Sequence, residues 1–419
     1  MIKNTTQRNK VLGVYTKSLR SVRGDVCVAN YLQSKEFKRH LNSHEKISVL
    51  AIGKAAQSMA QGAYSVLNDK IINGLIVTKQ GHLSAVSKID CFEYFESSHP
   101  IPSEKSLIAG TMVIDFISDL LADTHLIVLI SGGASALVER LNPDVDLDDI
   151  VRVNDWLIAS GLAIETMNSI RQKLSMIKGG KLASYASHLK VSNLLLSDVL
   201  SDEPAYIGSG LFVPALEFKS EAILPDWLER LIAKCEQIKQ DVVESTVFTD
   251  LVATNSLLLK NIHENCAVNR NEAVYRFEEP LSGKVEYEAK KIVTHITESE
   301  NGFYIWGGEP TIDLSSSMDS VAKGGRNQHI AFLIAHKIQG MKNIVVLCIG
   351  TDGSDGSTDD AGALVDGETI LRGEIEGLNV EEHLSSFNSA EFLHASGDVI
   401  NTGPTGTNVM DVVIAYKWE

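Results

Sequence analysis

Short runs of apolar residues alternate with amphipathic stretches over roughly the first half of the chain. The runs Ile47–Ile52 and Leu126–Ile130 are followed directly by glycine or serine, as is typical of buried strands that lead into a tight loop. The stretches 54–67 and 103–121 repeat their apolar residues at helical spacing, and Ser103 is a suitable N-cap. This alternation predicts a parallel sheet. Further strands are predicted at Gly74–Thr78, Cys91–Phe95 and Asn193–Leu196, and further helices at Leu147–Ser160 and Ile164–Met176.

The second half has a less regular pattern. The charged segment Leu216–Glu244 resembles a connector, and Val285–Ile296 partly alternates, which favours a strand there. Since 419 residues exceed one ordinary core, we expect two domains, with a boundary between residues 215 and 300. Further elements are predicted as strands at Tyr304–Trp306, Ile344–Ile349 and Val409–Tyr416 and as a helix at Arg326–Ile338.

Composition narrows the class of protein. The chain is 44% hydrophobic and 22% charged, with a formal net charge of −16. Nucleic acids and anionic membranes are therefore poor partners, because both need clustered cations. The longest apolar runs fall well short of the ~20 residues that cross a bilayer. Five scattered cysteines without CxxC spacing argue against disulfides or a zinc site and favour the cytoplasm.

Two glycine-containing turns follow the strongest predicted strands. In IGKAA, Lys54 lies in the first turn of a helix, where a cation opposes the helix dipole unless an anion binds between them. A surface lysine is the alternative. In SGGASAL, Ser131, Gly132, Gly133 and Ser135 offer small residues and helix N–H groups to a phosphate, although the loop matches neither GxxxxGK[ST] nor GxGxxG.

A basic stripe is predicted on the helix near residue 171. Arg171, Ser175 and Lys178 recur at helical spacing and share one face, which ends at Gly179 and Gly180. Such a stripe could reach a triphosphate. A solvated face with an ordinary glycine cap is an equally good interpretation.

Charged and polar residues also mark the remaining turns. Asp198 and Asp202 follow a strand, Glu309 follows another, and Arg326 comes after two glycines, a position from which it could clamp an oxyanion. His99 precedes a proline and could bind substrate or be an ordinary loop histidine.

The acidic loop after Ile349 carries several crowded carboxylates. Oxygen ligands of this kind suit Mg²⁺ held partly through water, as in phosphoryl-transfer enzymes, although an acidic turn is the simpler alternative. The carboxylates are Asp352, Asp355, Asp359 and Asp360.

Taken together, these motifs resemble the glycerate 2-kinase family that has a MOFRL domain, some members of which are labelled hydroxypyruvate reductases. The similarity spans nearly the whole chain, in nine motifs that keep one order. The motifs are IGKAA at 52–56, SSHPIPS at 97–103, SGGASAL at 131–137, SIRQKLSMIKGGKLA at 169–183, SDVLSDEPAYIGSG at 197–210, GGEPT at 307–311, GGRNQ at 324–328, TDGSDGSTDDAGA at 351–363 and TGPTGTNV at 402–409.

The resemblance implies a fold and a reaction. The fold is α/β: a Rossmann-like parallel-sheet domain, 1–245, and a smaller MOFRL-like α/β domain, 246–419, with the active site in the cleft between them. The reaction is ATP-dependent phosphorylation of D-glycerate at its 2-hydroxyl with Mg²⁺, by a cytoplasmic enzyme. Whether that enzyme forms a homodimer stays open.

The resemblance also implies roles for individual residues. Catalysis falls to Lys54, Asp198 and Arg326. Nucleotide or phosphate binding falls to Ser131, Gly132, Gly133, Ser135, Lys178, Gly179 and Gly180, substrate binding to His99, Arg171 and Glu309, and the metal to Asp352 and Asp355.

Three departures from the family pattern bear on activity. Ala134 replaces a glycine and adds a methyl group where a phosphate would approach, Ser201 replaces another glycine, and His329 replaces a glutamate. We interpret them as drift or as altered substrate preference. A hydroxypyruvate reductase, a kinase of a related sugar acid and a non-catalytic binding protein are the alternatives, and the absence of GxGxxG after any strand disfavours the first.

Overall fold

The protein is described by a computed structural model covering residues 5–41, 46–84, 88–162, 164–216, 223–235, 247–267, 272–312 and 323–419. The chain forms two compact units. The first helix, α1 (Thr5–Leu19), does not belong to the unit that follows it. We call Arg23–Ala253 the continuous unit. The discontinuous unit combines Met1–Val22 with Thr254–Glu419.

A six-stranded parallel sheet forms the centre of the continuous unit, in the order β3-β2-β1-β4-β5-β6. This confirms the predicted Rossmann-like sheet, whose typical strand order it has. Its strands are β1 (Lys46–Ile52), β2 (Ile71–Lys79), β3 (Phe92–Ser97), β4 (Thr124–Ile130), β5 (Lys190–Leu196) and β6 (Val247–Ala253).

Helices surround this sheet, and the central strand β4 is buried along its whole length. Ser103 caps α5 as predicted, because its hydroxyl accepts a hydrogen bond from Lys105 N–H. The helices are α2 (Gly24–Gln33), α3 (Lys35–Lys38), α4 (Ala56–Leu67), α5 (Glu104–Ser118), α6 (Ala134–Leu137), α7 (Leu147–Ser160), α8 (Ile164–Leu174), α9 (Lys181–Tyr185) and α10 (Asp226–Cys235).

The discontinuous unit has a mixed six-stranded sheet in the order β11-β10-β9-β12-β8-β7. Its strands pair antiparallel except β7 with β8. The strands are β7 (Val274–Arg276), β8 (Gly302–Gly308), β9 (Ile344–Gly350), β10 (Gly362–Asp366), β11 (Val399–Ile400) and β12 (Asp411–Lys417). The helices are α11 (Asn255–Cys266), α12 (Val285–Glu298), α13 (Arg326–Lys337), α14 (Thr369–Ile375), α15 (Val380–Ser385) and α16 (Ser389–Ser396).

The strand interpretation of Val285–Ile296 is wrong. The segment is the helix α12, and its buried apolar residues recur every three or four positions, which is the helical period. The predicted connector also contains structure, because α10 packs its apolar face into a core with α7 and α8. The connector residues 217–222 and 236–244 lie outside the described part of the chain.

The compact units differ from the predicted division at residue 245. Strand β6 pairs with β5, so the continuous unit extends to Ala253. At the other end, α1 is tied to the discontinuous unit by a buried ion pair: Arg8 donates to Asp366 at 2.6 Å and to Asp398 at 2.8 Å. No helix in the described ranges is long and apolar enough to cross a membrane.

Candidate active site

Two glycine-containing loops lie side by side at the carboxyl ends of β1 and β4. The sheet reverses its order between these strands, which opens a crevice where folds of this type bind ligands. Two hydrogen bonds join the loops. Lys54 N–H donates to the Gly132 carbonyl at 2.9 Å, and Ala55 N–H donates to Ser131 Oγ at 3.1 Å. Lys54 therefore lies at this crevice, two residues before α4 begins, and not in the first helical turn as predicted.

Gly133 brings Lys54 and His99 together. A Cβ at Gly133 would lie 3.0 Å from His99 Cδ2 and 3.4 Å from Lys54 Cγ, so both side chains pass directly over this residue. Gly133 also has a φ of +87°, which disfavours any residue with a side chain. The loop thus needs glycine both for its backbone and for the space that the two side chains occupy.

The two serines of the second loop have different surroundings. Ser131 is fully buried, and its hydroxyl is engaged by Ala55 N–H, so it holds the two loops together. Ser135 is half-buried and shares a hydrogen bond of 2.8 Å with Ser209. Of the two, Ser135 is the one that faces a cavity.

This cavity, of about 180 Å³, is lined by cationic and hydroxyl groups from several of the predicted loops. Arg171 Nε donates to Asn154 Oδ1 at 3.1 Å, and burial lowers the pKa of the Arg171 guanidinium. Within the described ranges, no carboxylate forms an ion pair with Arg171. A half-buried cation without a counter-ion favours an anionic ligand. The polar lining comes from His99, Ser135, Glu139, Asn154, Arg171 and Lys178.

Lys178 also borders the cavity, but its charge is already neutralised. Its ammonium group donates to Glu139 in a buried ion pair, and Glu139 accepts a second hydrogen bond from Ser175 Oγ at 2.6 Å. A phosphate contact of Lys178, as predicted, would have to share the ammonium group with Glu139. The predicted stripe on one helical face is wrong, because α8 ends at Leu174 and both Ser175 and Lys178 lie beyond it.

The backbone of Gly179 and Gly180 is likewise engaged. Their N–H groups donate to the carbonyls of Ser209 at 3.0 Å and Gly210 at 2.6 Å. Both glycines have positive φ, +66° and +84°, which the turn requires. They connect two loops of the continuous unit and have no N–H left for a phosphate.

Asp198 follows β5, the strand beside β4, and is half-buried. Parallel strands deliver their carboxyl ends to one edge of the sheet, so Asp198 lies on the same edge as the Lys54 and Gly133 loops. In the same loop, Asp202 has a φ of +52°, and burial raises the pKa of its carboxyl group.

In the discontinuous unit, Asp355 caps the N-terminus of α13. Its carboxylate accepts from Asn327 N–H at 3.0 Å and from Gln328 N–H at 2.7 Å, and burial raises its pKa to about 7. A Cβ at Gly325 would lie 2.3 Å from Asp355 Oδ1, which explains the glycine. Both carboxylate oxygens thus have partners in the helix, so the predicted metal contact of Asp355 would compete with its capping role.

Arg326 is the first residue of α13 and lies between two carboxylates. Its Nε and Nη2 both donate to Asp411, with Nη2 at 3.2 Å from Oδ1, and its Nη1 lies 2.8 Å from Glu309 Oε1. These carboxylates raise the pKa of the Arg326 guanidinium. Arg326 is therefore charged and fixed in one orientation.

Asp352 follows β9 and suits a metal better than Asp355 does. It is half-buried, and its Oδ1 accepts from the Ser354 N–H at 3.0 Å. The described residues contain no group of three or more metal-binding side chains. Asp352 by itself fits Mg²⁺ in a nucleotide complex, because this ion uses one or two carboxylates and takes its other ligands from phosphates and water.

The three departures from the family pattern have structural explanations. The methyl group of Ala134 is buried, and a Cβ at Gly208 would lie 3.0 Å from it, so it packs against that turn. His329 is buried and shares a hydrogen bond of 2.7 Å with Ser389. Ser201 is exposed, and its hydroxyl accepts a hydrogen bond of 3.4 Å from the Glu203 N–H, which a glycine could not do.

His329 predicts a pH dependence of stability. Burial lowers its pKa from 6.5 to about 4, so the unfolded chain binds a proton more readily than the folded one. The contribution of neutral His329 to the free energy of unfolding is therefore fully present above pH 6.5. It is lost as the pH drops toward 4, by about 3 kcal/mol in total. We expect His329→Gln to flatten this decline in denaturant titrations at pH 7.5, 6 and 5. His336→Gln, at a half-exposed site on the same helix, is the control, and an unchanged slope in His329→Gln contradicts the prediction.

Sequence reasoning missed three residues around these loops. Asp411 contacts Arg326 from 85 positions away, and Glu139 pairs with Lys178 across 39 positions. An acidic residue at the start of the buried strand β12 was a usable signal for Asp411. Tyr15, on α1, has a buried hydroxyl without a hydrogen-bond partner in the described ranges, and burial together with the charges of Asp352 and Asp411 raises its pKa. No local pattern marks Tyr15.

Comparison with known proteins shows which family the chain resembles in sequence. Residues 10–243 match a domain of unknown function, DUF4147, and residues 302–411 match the MOFRL family. The chain is 32% identical to the D-glycerate 2-kinase of Thermotoga maritima over 88% of its length and 90% of that protein. It is 33% identical to the glycerate 2-kinase of Pyrococcus horikoshii, over 92% and 89% of the two chains.

A solved structure agrees with these matches. The crystal structure of glycerate kinase from Thermotoga maritima superposes with a TM-score of 0.81 at 28% identity, covering 99% of this chain and all of that one. Since both halves match and the relatives align over nearly their full length, the chain belongs to the glycerate 2-kinase family of the type that has a MOFRL domain.

Proposed function

We propose that the protein is an ATP-dependent kinase that phosphorylates the 2-hydroxyl of D-glycerate to give 2-phosphoglycerate. The observation that carries this proposal is the state of Arg171, which lines a cavity of about 180 Å³. It is a half-buried cation without a carboxylate partner in the described part of the chain. Family membership supplies the reaction, and the cavity suits a small carboxylic acid with hydroxyl groups.

The cavity offers matching groups for each end of the substrate. The Arg171 fork would bind the glycerate carboxylate, since guanidinium and carboxylate form paired hydrogen bonds. His99 and Ser135 line the same cavity and would contact the hydroxyl groups. Lys178 and Glu139, being paired with each other, would define the wall and leave the net positive charge to Arg171.

The chemical step needs a base and a stabilised phosphoryl group. Asp198 would accept the proton of the 2-hydroxyl as its oxygen forms a bond to the γ-phosphorus, while the bond from that phosphorus to the bridging oxygen of ADP breaks. Lys54, with its backbone fixed between the two glycine-containing loops, would offset the charge on the transferring group. Direct help from Asp202 in the same loop is the alternative base.

The discontinuous unit would contribute Arg326 and Asp352. Arg326 would hold the oxygens of the transferring phosphoryl group, and Asp352 would hold Mg²⁺. When bound there, Mg²⁺ would supply positive charge that offsets part of the charge of the phosphates. Asp355 would act by fixing the start of α13, and Ser131, Gly179 and Gly180 by building turns. The active-site cleft between domains, the homodimer and the cytoplasmic location stay predictions.

The test is a coupled assay of ADP release with D-glycerate, L-glycerate and hydroxypyruvate, run beside an NAD(P)H absorbance assay. We expect ADP release with D-glycerate and a product whose NMR spectrum shows phosphorus on the 2-hydroxyl. Activity only in the nicotinamide assay would make the protein a hydroxypyruvate reductase. Turnover of another sugar acid with ATP would keep the kinase and correct its substrate.

Arg171→Met provides a sharper test of the cavity. We expect the KM for D-glycerate to rise about 10²-fold, because a desolvated charge pair is lost, while the KM for ATP changes little. Arg152→Met is the matched control, since Arg152 lies over the Trp227 ring and away from the cavity lining. Equal effects of the two substitutions on the KM for glycerate would remove Arg171 from the substrate site.

A further inference from the structure

We propose that Asp411 is a positioning residue that fixes the guanidinium of Arg326, and that Glu309 is a displaceable counter-ion occupying the side of that guanidinium where ATP phosphate binds. The inference rests on the proposed kinase function for the identity of the anion. It assigns Glu309 a different task from the substrate contact predicted from the sequence.

The contacts divide the guanidinium into two sides. Asp411 accepts from Nε and from Nη2, which are the two nitrogens on one edge of the fork. The ion pair with Glu309 is made at the third nitrogen, with Nη1 lying 2.8 Å from Oε1. An arginine held along one edge keeps its plane and direction while its remaining N–H groups exchange partners. This division of contacts separates a fixed partner from an exchangeable one.

Asp411 cannot follow Arg326 if the arginine moves. Its side chain is 5% exposed, and its backbone lies at the start of β12, paired with Gly350 on one side and Gly308 on the other. Its carbonyl oxygen also accepts from Asn255 Nδ2 at 3.1 Å. The carboxylate is therefore part of the rigid sheet, and it transfers that rigidity to Arg326.

Glu309 has the opposite surroundings. Its side chain is 42% exposed, and it follows the end of β8. Water reaches this pair more than the pair with Asp411, whose side chain is 5% exposed, so the contact with Glu309 contributes less free energy than the contact with Asp411. A triphosphate brings more negative charge to Nη1 than a single carboxylate does. ATP would therefore displace Glu309 at low cost and leave Asp411 in place.

The charges around Arg326 explain why displacement is needed. Arg326 faces Asp411 and Glu309, and the charge of buried Asp355 also acts on it. With both contacting carboxylates bound, this cluster carries more negative than positive charge and repels phosphate. Once Glu309 turns away, the Arg326–Asp411 pair is neutral, and Nη1 is open to an anion.

The experiment combines kinetics with direct observation of Arg326. We expect Asp411→Asn to lower kcat by about 10²-fold or more. The KM values for ATP and D-glycerate should change by less than a factor of about three, because ground-state binding does not need the orientation. The double variant Arg326→Ala/Asp411→Asn should be no slower than Arg326→Ala alone. Additive losses in the double variant overturn the positioning role.

Glu309→Gln tests the counter-ion role and does not disturb the core. We expect it to tighten binding of Mg²⁺–AMP-PNP by about two- to fivefold in calorimetry. Glu278→Gln, whose carboxylate is exposed beside Arg276 in the same unit, should leave that affinity unchanged. A raised KM for D-glycerate with unchanged nucleotide affinity would restore the substrate contact and overturn the counter-ion role.

A third measurement does not depend on the reaction. The Nε–H resonance of Arg326 in the ¹⁵N spectrum, assigned with Arg326→Lys, should be protected from exchange in the wild type and lose that protection in Asp411→Asn. If D-glycerate is not phosphorylated by the wild type, the proposed function fails, whereas the Asp411 role stands or falls on this resonance. Exchange as fast in the wild type as in Asp411→Asn overturns it.

Discussion

Replacing Arg326 by alanine is expected to lower kcat by about 10³-fold or more, the scale of an arginine that stabilises a transferring phosphoryl group. The expectation rests on the fixed orientation that Asp411 gives to the guanidinium. The measurement is steady-state ADP release at saturating ATP and D-glycerate, on protein shown by circular dichroism to be folded.

Two further variants separate catalysis from folding. Arg326→Ala leaves Asp411 buried without its partner, which also destabilises the protein. Arg326→Lys keeps the positive charge but loses the planar set of N–H donors of the guanidinium. We therefore expect a large fall in kcat with a smaller loss of stability. Arg276→Ala, in an exposed ion pair of the same unit, is the control. Near-normal turnover in folded Arg326→Ala would remove this residue from the site.

Replacing Lys54 by methionine is expected to lower kcat by about 10²- to 10³-fold, as the loss of one preorganised electrostatic group does. Lys54 lies at the crevice between β1 and β4, beside His99 and Gly133, with its backbone N–H bonded to Gly132. The assay is the same, and the fall should appear in kcat more than in the KM for D-glycerate.

Lys46 is a matched control for Lys54, because it begins the strand that Lys54 follows. Its side chain is exposed and faces Asp123 at 3.4 Å, at the opposite end of β1. Lys46→Met should leave turnover unchanged. A double-mutant cycle of Lys54 and Arg326 then asks whether they act on one transition state, in which case their losses are not additive. Full activity of Lys54→Met would exclude it from catalysis.

The sequence was most informative where contacts are local. The largely buried strands β1 and β4 contain apolar runs that mark them in the sequence, and the glycines that follow mark the tight turns. Because parallel strands share a carboxyl edge, motifs far apart in sequence were expected to meet, and the bonded loops at Lys54 and Ser131 confirm this for the continuous unit.

Long-range partners were beyond this reasoning. Lys178 and Asp355 have the charges of ligand-binding residues, yet each is engaged within its own unit, by Glu139 and by the start of α13. Residue type records a charge but not whether the fold has already neutralised it. Helix α1 likewise meets the discontinuous unit through partners far away in sequence, such as Asp366, which contacts Arg8 across 358 positions.

The strand order of the discontinuous unit has a consequence for biosynthesis. Strand β12 comes last along the chain, yet it is inserted between β9 and β8 in the middle of the sheet. On the ribosome, this sheet stays in two halves until β12 leaves the exit tunnel, although α1 was translated before the continuous unit. The continuous unit is ready to fold far earlier, when Ala253 emerges. A nascent chain stalled before Asp411 would thus carry one finished unit and one with an apolar gap, a natural substrate for chaperones.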